Sequence, residues 1–96
     1  MAVTTTSANG VDVDDEFIYL ASGNGVNIFN KSDIKASDLV TLSPIANFKI
    51  TEATTIQNHG SSLIGQSSNY IKKGVDGRLY VAYGIYGLRI YEVVKK

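Results

Sequence analysis

One short pattern occurs twice in this chain, and it restricts the fold more than any other feature. Residues 18–23 (IYLASG) match residues 79–84 (LYVAYG) in character, position by position. After turns that differ in length by one residue, residues 25–30 (GVNIFN) match residues 87–92 (GLRIYE). Self-similarity of this kind is typical of repeat architectures. The chain is therefore predicted to contain two copies of one β unit.

Each copy reads as two strands joined by a turn. In the first copy, residues 17–22 and 26–29 are aromatic and aliphatic, and they flank Gly23-Asn24-Gly25. Asn-Gly favours a type I′ hairpin, because both central residues of that turn need positive φ. Asp76-Gly77 is the other preferred pair. It predicts a second type I′ hairpin just before the strand of the second copy.

Weaker strands complete the two units. Residues 10–13 and 70–75 precede the two copies, and residues 39–50 read as a further strand that Pro44 interrupts or confines to a sheet edge. The segment 33–40 is the best helical window, but it is short and lacks a sustained helical period. It is predicted to be a loop or a single turn.

The strands of the repeat are apolar on both faces. Ile18 and Leu20 alternate with Tyr19 and Ala21, and all four are hydrophobic. A sheet with one solvated face shows apolar and polar residues in alternation, so both faces are predicted to be covered. In a chain of 96 residues without predicted helices, the natural cover is another sheet of the same kind.

The chain is predicted to be one all-β domain over residues 1–96. Its first blade-like unit covers residues 8–50, and its second covers residues 70–96. Between them, residues 51–69 are rich in Thr, Ser, Gln and Asn. This stretch is predicted to be a long polar surface segment with at most one short strand, near residues 62–65.

The two copies, IYLASGNGVNIFN and LYVAYGIYGLRIYEV, resemble the LVIVD-type β-propeller repeat of bacterial proteins. That repeat is typified by a Tyr-Val-Ala strand, a glycine turn and a Gly-Leu-Arg-Ile strand. The second copy is the closer match, since Asn27 replaces the usual arginine in the first, and residues 51–69 depart from the pattern. The resemblance implies antiparallel blade-like sheets and an extracytoplasmic protein, secreted or at the cell surface, with little defined chemistry.

Two blades do not close a propeller, which typically needs about four to eight. The chain is therefore expected to be a fragment of a longer propeller, or to self-associate so that several copies form the ring. A small β-sandwich that uses the same hairpins is the alternative. Strands that are apolar on both faces, with unpaired edges, favour association with further sheets.

Composition excludes several functions. Nine Lys and Arg balance nine Asp and Glu, so no basic excess supports binding to nucleic acid or to an anionic membrane. The absence of cysteine excludes disulfides, thiolate metal sites and cysteine nucleophiles. No apolar run is long enough to span a bilayer. Residues 1–6 lack the basic and apolar regions of a signal peptide.

No catalytic or metal site is predicted, and no cofactor. The acidic stretch 11–17 (VDVDDEF) lacks the glycine and spacing of a calcium loop, so residues 14–16 are predicted to form a solvated turn. His59 is the single histidine and has no partner for zinc. Ser62 lies in a partial G-x-S-x-G motif, but Ile64 stands where glycine is required. A weak hydrolase that uses Ser62 and His59 is kept as an alternative.

The candidate ligand-binding residues are Asn24, His59, Tyr83, Tyr86 and Arg89. In propellers, the turn between the second and third strands shares one rim with the connections between blades, and loops on a rigid scaffold often carry binding residues. Tyrosines near polar side chains suit recognition of a glycan or a protein. Alternatively, Tyr83 and Tyr86 pack between adjacent blades. The predicted function is a non-enzymatic binding or scaffold module, and purely structural blades of a larger propeller are the alternative.

Overall fold

The computed structural model describes residues 1–35, 39–48, 67–84 and 87–94. This part of the chain is almost entirely β structure, which confirms the predicted all-β class, and its only named helical element is a single 3-10 turn at Lys31–Asp33. The strands are β1 Ala2–Val3, β2 Gly10–Val13, β3 Phe17–Ser22, β4 Gly25–Asn30, β5 Val40–Thr41, β6 Ala46–Phe48, β7 Tyr70–Lys73, β8 Arg78–Ala82 and β9 Leu88–Glu92.

The first repeat forms a four-stranded antiparallel sheet, the first meander, in the order β2-β3-β4-β6. Tyr19 lies opposite Ile28, and Ala21 lies opposite Val26. Since directly opposed residues point to the same side of a sheet, these side chains share one face. Leu20 lies on the other face, opposite Asn27.

The second repeat forms a three-stranded antiparallel sheet, the second meander, in the order β7-β8-β9. By the sequence repeat, β8 and β9 correspond to β3 and β4, and β7 corresponds to β2. In the first meander β4 is followed by β6. Within the described ranges, β9 is the last strand of its sheet.

Both predicted hairpins form, but the predicted type I′ turns are wrong. A type I′ turn needs positive φ at both central residues, and every described residue with positive φ is a glycine. The positive φ falls on the glycine that ends each turn, at 102° for Gly25 and 85° for Gly77. The Gly77 N–H donates to the Gly74 carbonyl at 3.0 Å. The second turn therefore spans residues 74–77, with the left-handed glycine placed after its centre.

Pro44 divides the stretch predicted as one interrupted strand. On its N-terminal side β5 pairs in parallel with β1, an arrangement the sequence did not predict, and on its C-terminal side β6 joins the first meander. β1 and β5 form a separate two-stranded sheet, called the parallel pair here. Proline lacks the N–H that a central strand needs, so a break at this position is expected.

The main core lies between the two meanders. Tyr19, Ala21 and Val26 from the first pack against Leu79 and Val81 from the second. All of these side chains are fully buried or nearly so. The contact accounts for the apolar residues on this face of the repeat, because each sheet removes the other from water.

The parallel pair covers the opposite face of the first meander. Leu20 and Phe29 are buried there with Leu42, and Ala2 and Val40 pack against them. Both faces of β3 are therefore covered, as their apolar composition predicts. The first meander lies between the second meander on one side and the parallel pair on the other.

The two meanders form a wedge rather than two evenly spaced layers. At the narrow side, where β2 meets β7, a Cβ built on Gly10 would lie 3.2 Å from the Tyr70 Cα. At the wide side, the rings of Phe48 and Tyr91 fill the space with their centroids 4.7 Å apart.

Candidate functional site

The predicted rim is formed by the β3–β4 turn and by residues 67–69, which lead into β7. Ser68 donates from its N–H to the Ser22 carbonyl at 2.9 Å, and Asn69 donates to the Ala82 carbonyl at 2.8 Å. Residues 67–69 therefore connect the turn of the first meander to the end of β8. The β3–β4 turn and the end of β8 therefore lie at the same end of the molecule.

A buried polar network holds this rim together. The Ser68 hydroxyl accepts a hydrogen bond from the Ser22 N–H at 3.0 Å and donates to the Gly25 carbonyl at 2.7 Å. Asn9 donates to the Ser68 carbonyl at 2.7 Å. Ser68 is fully buried. Although the sequence predicts residues 51–69 as a polar surface segment, Ser68 is an internal contact residue.

Asn24 lies exposed at the tip of the β3–β4 turn. Its side-chain oxygen accepts hydrogen bonds from the Ser22 hydroxyl at 2.6 Å and from Asn27 Nδ2 at 2.9 Å. Asn27 in turn accepts from Asn47 at 2.9 Å. The orientation of the Asn24 carboxamide is therefore fixed by its neighbours, as a preorganised contact residue requires.

Tyr83 is buried in the core between the meanders, with 1% of its surface exposed. This position corrects the expectation of an exposed rim tyrosine and agrees with the alternative that Tyr83 packs between adjacent sheets. Burial raises the pKa of Tyr83 well above its usual range. Its hydroxyl is buried and lies near Tyr91, so Tyr83 contributes packing rather than ligand recognition.

The other candidate residues are not brought together by the described structure. Arg89 lies in β9, opposite Val81, on the face that turns toward the first meander, and it is half-buried there. His59, Ser62 and Tyr86 lie outside the described residues. Asn24 is thus the one candidate that the structure places exposed on the rim.

A charged cluster at the opposite end of the molecule joins the two meanders. Lys73 donates from Nζ to Asp14 Oδ2 at 2.7 Å, and the Tyr19 hydroxyl donates to the same oxygen at 2.5 Å. Lys73 also donates from its backbone N–H to Asp12 Oδ2 at 2.5 Å. Its ammonium lies 5.3 Å from the centre of the Tyr19 ring, within cation–π range.

Asp14 belongs to both the turn and the cluster. Its Oδ1 accepts hydrogen bonds from the N–H groups of Glu16 and Phe17, at 2.9 and 2.8 Å. Asp14 is half-buried, so the prediction of a solvated turn at residues 14–16 is wrong for this residue. Asp15 and Glu16 are exposed, as that prediction requires.

The protonation states of the cluster follow from its contacts. Burial opposes ionisation of Asp14, but the hydrogen bonds from Lys73, Tyr19 and the backbone outweigh it and hold the pKa of Asp14 well below its usual 3.8. Burial and the bond to Asp14 raise the pKa of Tyr19 to about 12. The hydrogen bond to Asp14 also raises the pKa of Lys73.

This cluster lines a cleft of about 440 Å³ between the meanders, together with Asp15, Glu16 and Val93. At neutral pH its carboxylate is ionised, its ammonium is charged and its phenol is protonated. A general acid or base needs a pKa near the working pH, and these groups are shifted away from it. The cluster is therefore suited to joining the sheets rather than to proton transfer.

The second meander repeats the aspartate–tyrosine contact. Asp76 accepts from the Arg78 N–H at 3.1 Å and from the Tyr80 hydroxyl at 2.5 Å. Tyr80 is the repeat equivalent of Tyr19. This contact was not predicted from the sequence. Its signal is a turn aspartate followed four or five residues later by a strand tyrosine, in both copies.

Neither a metal site nor a membrane span is found in the described ranges. Within them no group of three or more metal-ligating side chains comes together. The same residues include no helix with the length and apolar character needed to cross a membrane.

The fold and its two polar clusters define an all-β protein of two stacked antiparallel meanders. Comparison of the chain with protein-family models, with curated proteins and with solved structures finds no match. The LVIVD resemblance therefore stays a prediction from the residues of the two copies.

Proposed function

We propose that this chain is a non-enzymatic binding and scaffold module of the β-propeller type, in which the two meanders act as neighbouring blades. In this proposal further blades come from the rest of a longer protein or from other copies of the chain, and the module works outside the cytoplasm, as the LVIVD resemblance implies. The alternative is a pair of purely structural blades with no ligand of their own.

The wedge-shaped stacking of the meanders carries the proposal. Blades in a propeller converge on a central channel, so adjacent sheets approach most closely at their first strands. Here β2 and β7 are those strands, and Gly10 meets the backbone of Tyr70. A β-sandwich instead keeps its sheets about 10 Å apart, so the convergence favours blades over the sandwich.

The rim around Asn24 is the proposed ligand surface. A turn held from below by Ser22, Asn27 and Ser68 presents a fixed amide to solvent. Fixed polar groups recognise a partner at a lower entropic cost than mobile ones. The rim is therefore suited to hydrogen-bonded recognition of a glycan or a protein.

Two measurements test the binding proposal. We expect a glycan array, followed by ligand-induced melting shifts, to give a ligand whose shift is strongly reduced in Asn24→Ala. Ser32→Ala, an exposed change near the opposite end, should retain the full shift. A ligand whose shift is equal in both variants would contradict binding at this rim, and the absence of any ligand would favour the purely structural alternative.

A screen for turnover tests the non-enzymatic part. Within the described residues, Asp14 and Lys73 hold each other in an ion pair, so we expect no esterase or glycosidase activity above background. Activity that His59→Ala abolishes would contradict the proposal and support the hydrolase alternative with Ser62.

A further inference from the structure

One face of the second meander is exposed and is apolar over much of its area. The face of β7, β8 and β9 that points away from the first meander, the outer face, carries Tyr70, Tyr80, Ala82, Leu88 and Ile90, with the charged residues Lys72, Arg78 and Glu92 toward the end near Asp76. Tyr70 is 60% exposed, Leu88 is 62% exposed and Ile90 is 51% exposed. Contiguous apolar residues on a small sheet are typical of an interaction surface.

The sequence repeat identifies what kind of surface this is. On the first meander, the positions equivalent to Tyr80, Ala82, Leu88 and Ile90 form the face that packs against the second meander. They are Tyr19, Ala21, Val26 and Ile28. The same positions thus form a filled interface in the first unit and an exposed face in the second.

The aspartate–tyrosine contact extends this equivalence to polar atoms. In the first unit the Asp14–Tyr19 pair is completed by Lys73, which belongs to the neighbouring sheet. In the second unit the Asp76–Tyr80 pair lies beside the outer face, and its cation is Arg78 of the same sheet at 3.2 Å. A sheet stacked on the outer face would bring its own first strand to Asp76, just as β7 reaches Asp14.

We infer that the outer face is a docking surface for a third β-meander of the same kind, with an apolar face and a basic residue at the end of its first strand that contacts Asp76 and Tyr80. This inference rests on the proposed function, and it adds the residues of the interface and the chemistry of the partner. The outer face of the second meander is the surface that binds, and the docking unit resembles the second meander itself.

The chain's own first meander lacks the features that this docking unit needs. Its remaining face is largely covered by the parallel pair. Its position equivalent to Lys73 is Val13, since Lys73 lies opposite Leu79 and Val13 lies opposite the equivalent Ile18. In a second copy, the first meander therefore lacks both an open face and the required cation, and the inner face of the second meander, which carries Lys73, is already filled. The partner is therefore a further unit of the repeat.

A tandem chain tests the inference, with the full 96-residue chain followed by a second copy of residues 49–94. Urea unfolding should give a single transition with a higher midpoint and a larger m-value than the parent chain, because docking buries additional surface. Lys73→Met in the appended copy should weaken docking roughly tenfold, since a charge-assisted hydrogen bond to Asp76 is lost.

A matched pair of variants controls for the position of the contact. Leu88→Lys in the parent part of the tandem should abolish the gain in midpoint. Val11→Lys changes a strand residue that is 59% exposed on the far face of the first meander, and it should preserve the gain. A tandem whose midpoint and m-value equal those of the parent chain, or in which both variants behave alike, would overturn the inference.

Two further outcomes distinguish a wrong partner from a failure of docking. If the 96-residue chain alone forms a dimer that Leu88→Lys dissociates and Val11→Lys does not, the face is an interface between copies and the partner assigned here is wrong. Failure of the tandem to gain stability would refute docking but not the proposed function, which the turnover and ligand measurements test separately.

Discussion

Asp14 illustrates how one side chain can fix both a turn and an interface. One carboxylate oxygen binds the backbone N–H groups of its own turn, and the other binds Lys73 and Tyr19. The turn holds the carboxylate in place through contacts that do not involve the second meander. Lys73 therefore meets an acceptor whose orientation is already fixed, which reduces the entropy lost when the ion pair forms.

The first residue-level prediction concerns pH. The pKa of Asp14 is lower in the folded state than its ordinary 3.8. The ionised carboxylate therefore contributes its full stabilisation above about pH 3.8, and this stabilisation is lost as the pH falls through the folded-state pKa. At pH 7, Asp14→Asn should lower the free energy of unfolding by about 1 kcal/mol, allowing for partial exposure to solvent. Urea unfolding from pH 7 to pH 2 should show this difference shrinking.

Asp15→Asn is the matched control for that series. Asp15 is exposed beside Asp14, and surface substitutions usually change stability by less than about 0.5 kcal/mol. If the difference between the wild type and Asp14→Asn is the same at pH 7 and pH 2, the ion pair does not stabilise the fold as described.

The second residue-level prediction concerns Ser68. Ser68→Ala removes the hydroxyl that serves both the Ser22 N–H and the Gly25 carbonyl, and the site is too buried for water to replace it. The free energy of unfolding should fall by about 1–3 kcal/mol. Ser7→Ala removes a hydroxyl that binds the Gly23 N–H at an exposed site, and it should cost much less. Equal costs in thermal unfolding would contradict the buried network.

At the scale of elements, the strands could be predicted and the turns only in part. Aromatic and aliphatic runs located β3 and β8, and the repeat paired each with its neighbour. The turn type was wrong because the glycine of Asn24-Gly25 supplies its positive φ after the turn rather than within it. Dipeptide preference alone does not distinguish these two placements.

The charged cluster and the exposed face required the fold. Asp14 and Lys73 are 59 positions apart, and no local pattern relates two residues in different repeats. The parallel pair was also missed, since β1 and β5 have only two residues each. Asn24 was correctly placed at a turn because Asn and Gly favour turns locally, whereas the burial of Tyr83 depends on the sheet stacked above it.

An element-level prediction tests the narrow side of the wedge. Replacing glycine by alanine in a strand favours folding by about 0.4–1 kcal/mol through the unfolded chain. At Gly10, however, the new Cβ would lie 3.2 Å from the Tyr70 Cα and 3.4 Å from the Asn69 carbonyl oxygen. Because both neighbours are backbone atoms, the clash should dominate, and Gly10→Ala should destabilise the chain by about 1–3 kcal/mol in urea unfolding.

A Gly10→Ala chain that is not destabilised would contradict the wedge. A Gly10→Ala chain as stable as the wild type, or more stable, would mean that β2 and β7 are farther apart than the wedge requires. Phe48 and Tyr91 at the wide side would then no longer distinguish blades from evenly spaced layers.

At the scale of the whole molecule, the chain is asymmetric. The first meander is covered on both faces, by the second meander and by the parallel pair. Among the described residues, the second meander is covered on one face only, and its exposed Leu88 and Ile90 occupy positions that are core positions in the first. The molecule therefore has one completed side and one side able to accept a further sheet.

The central claim is that the two repeats stack through a defined interface, and a double-mutant cycle on Asp14 and Lys73 tests it most directly. Asp14→Asn, Lys73→Met and the double variant are compared with the wild type by urea unfolding at pH 7. We predict a coupling energy of about 1 kcal/mol, because the charge-assisted hydrogen bond between Lys73 Nζ and Asp14 needs both residues. The exposed pair Asp76–Arg78 within one sheet should show much weaker coupling. A coupling energy between Asp14 and Lys73 within about 0.3 kcal/mol of zero would contradict the stacked arrangement.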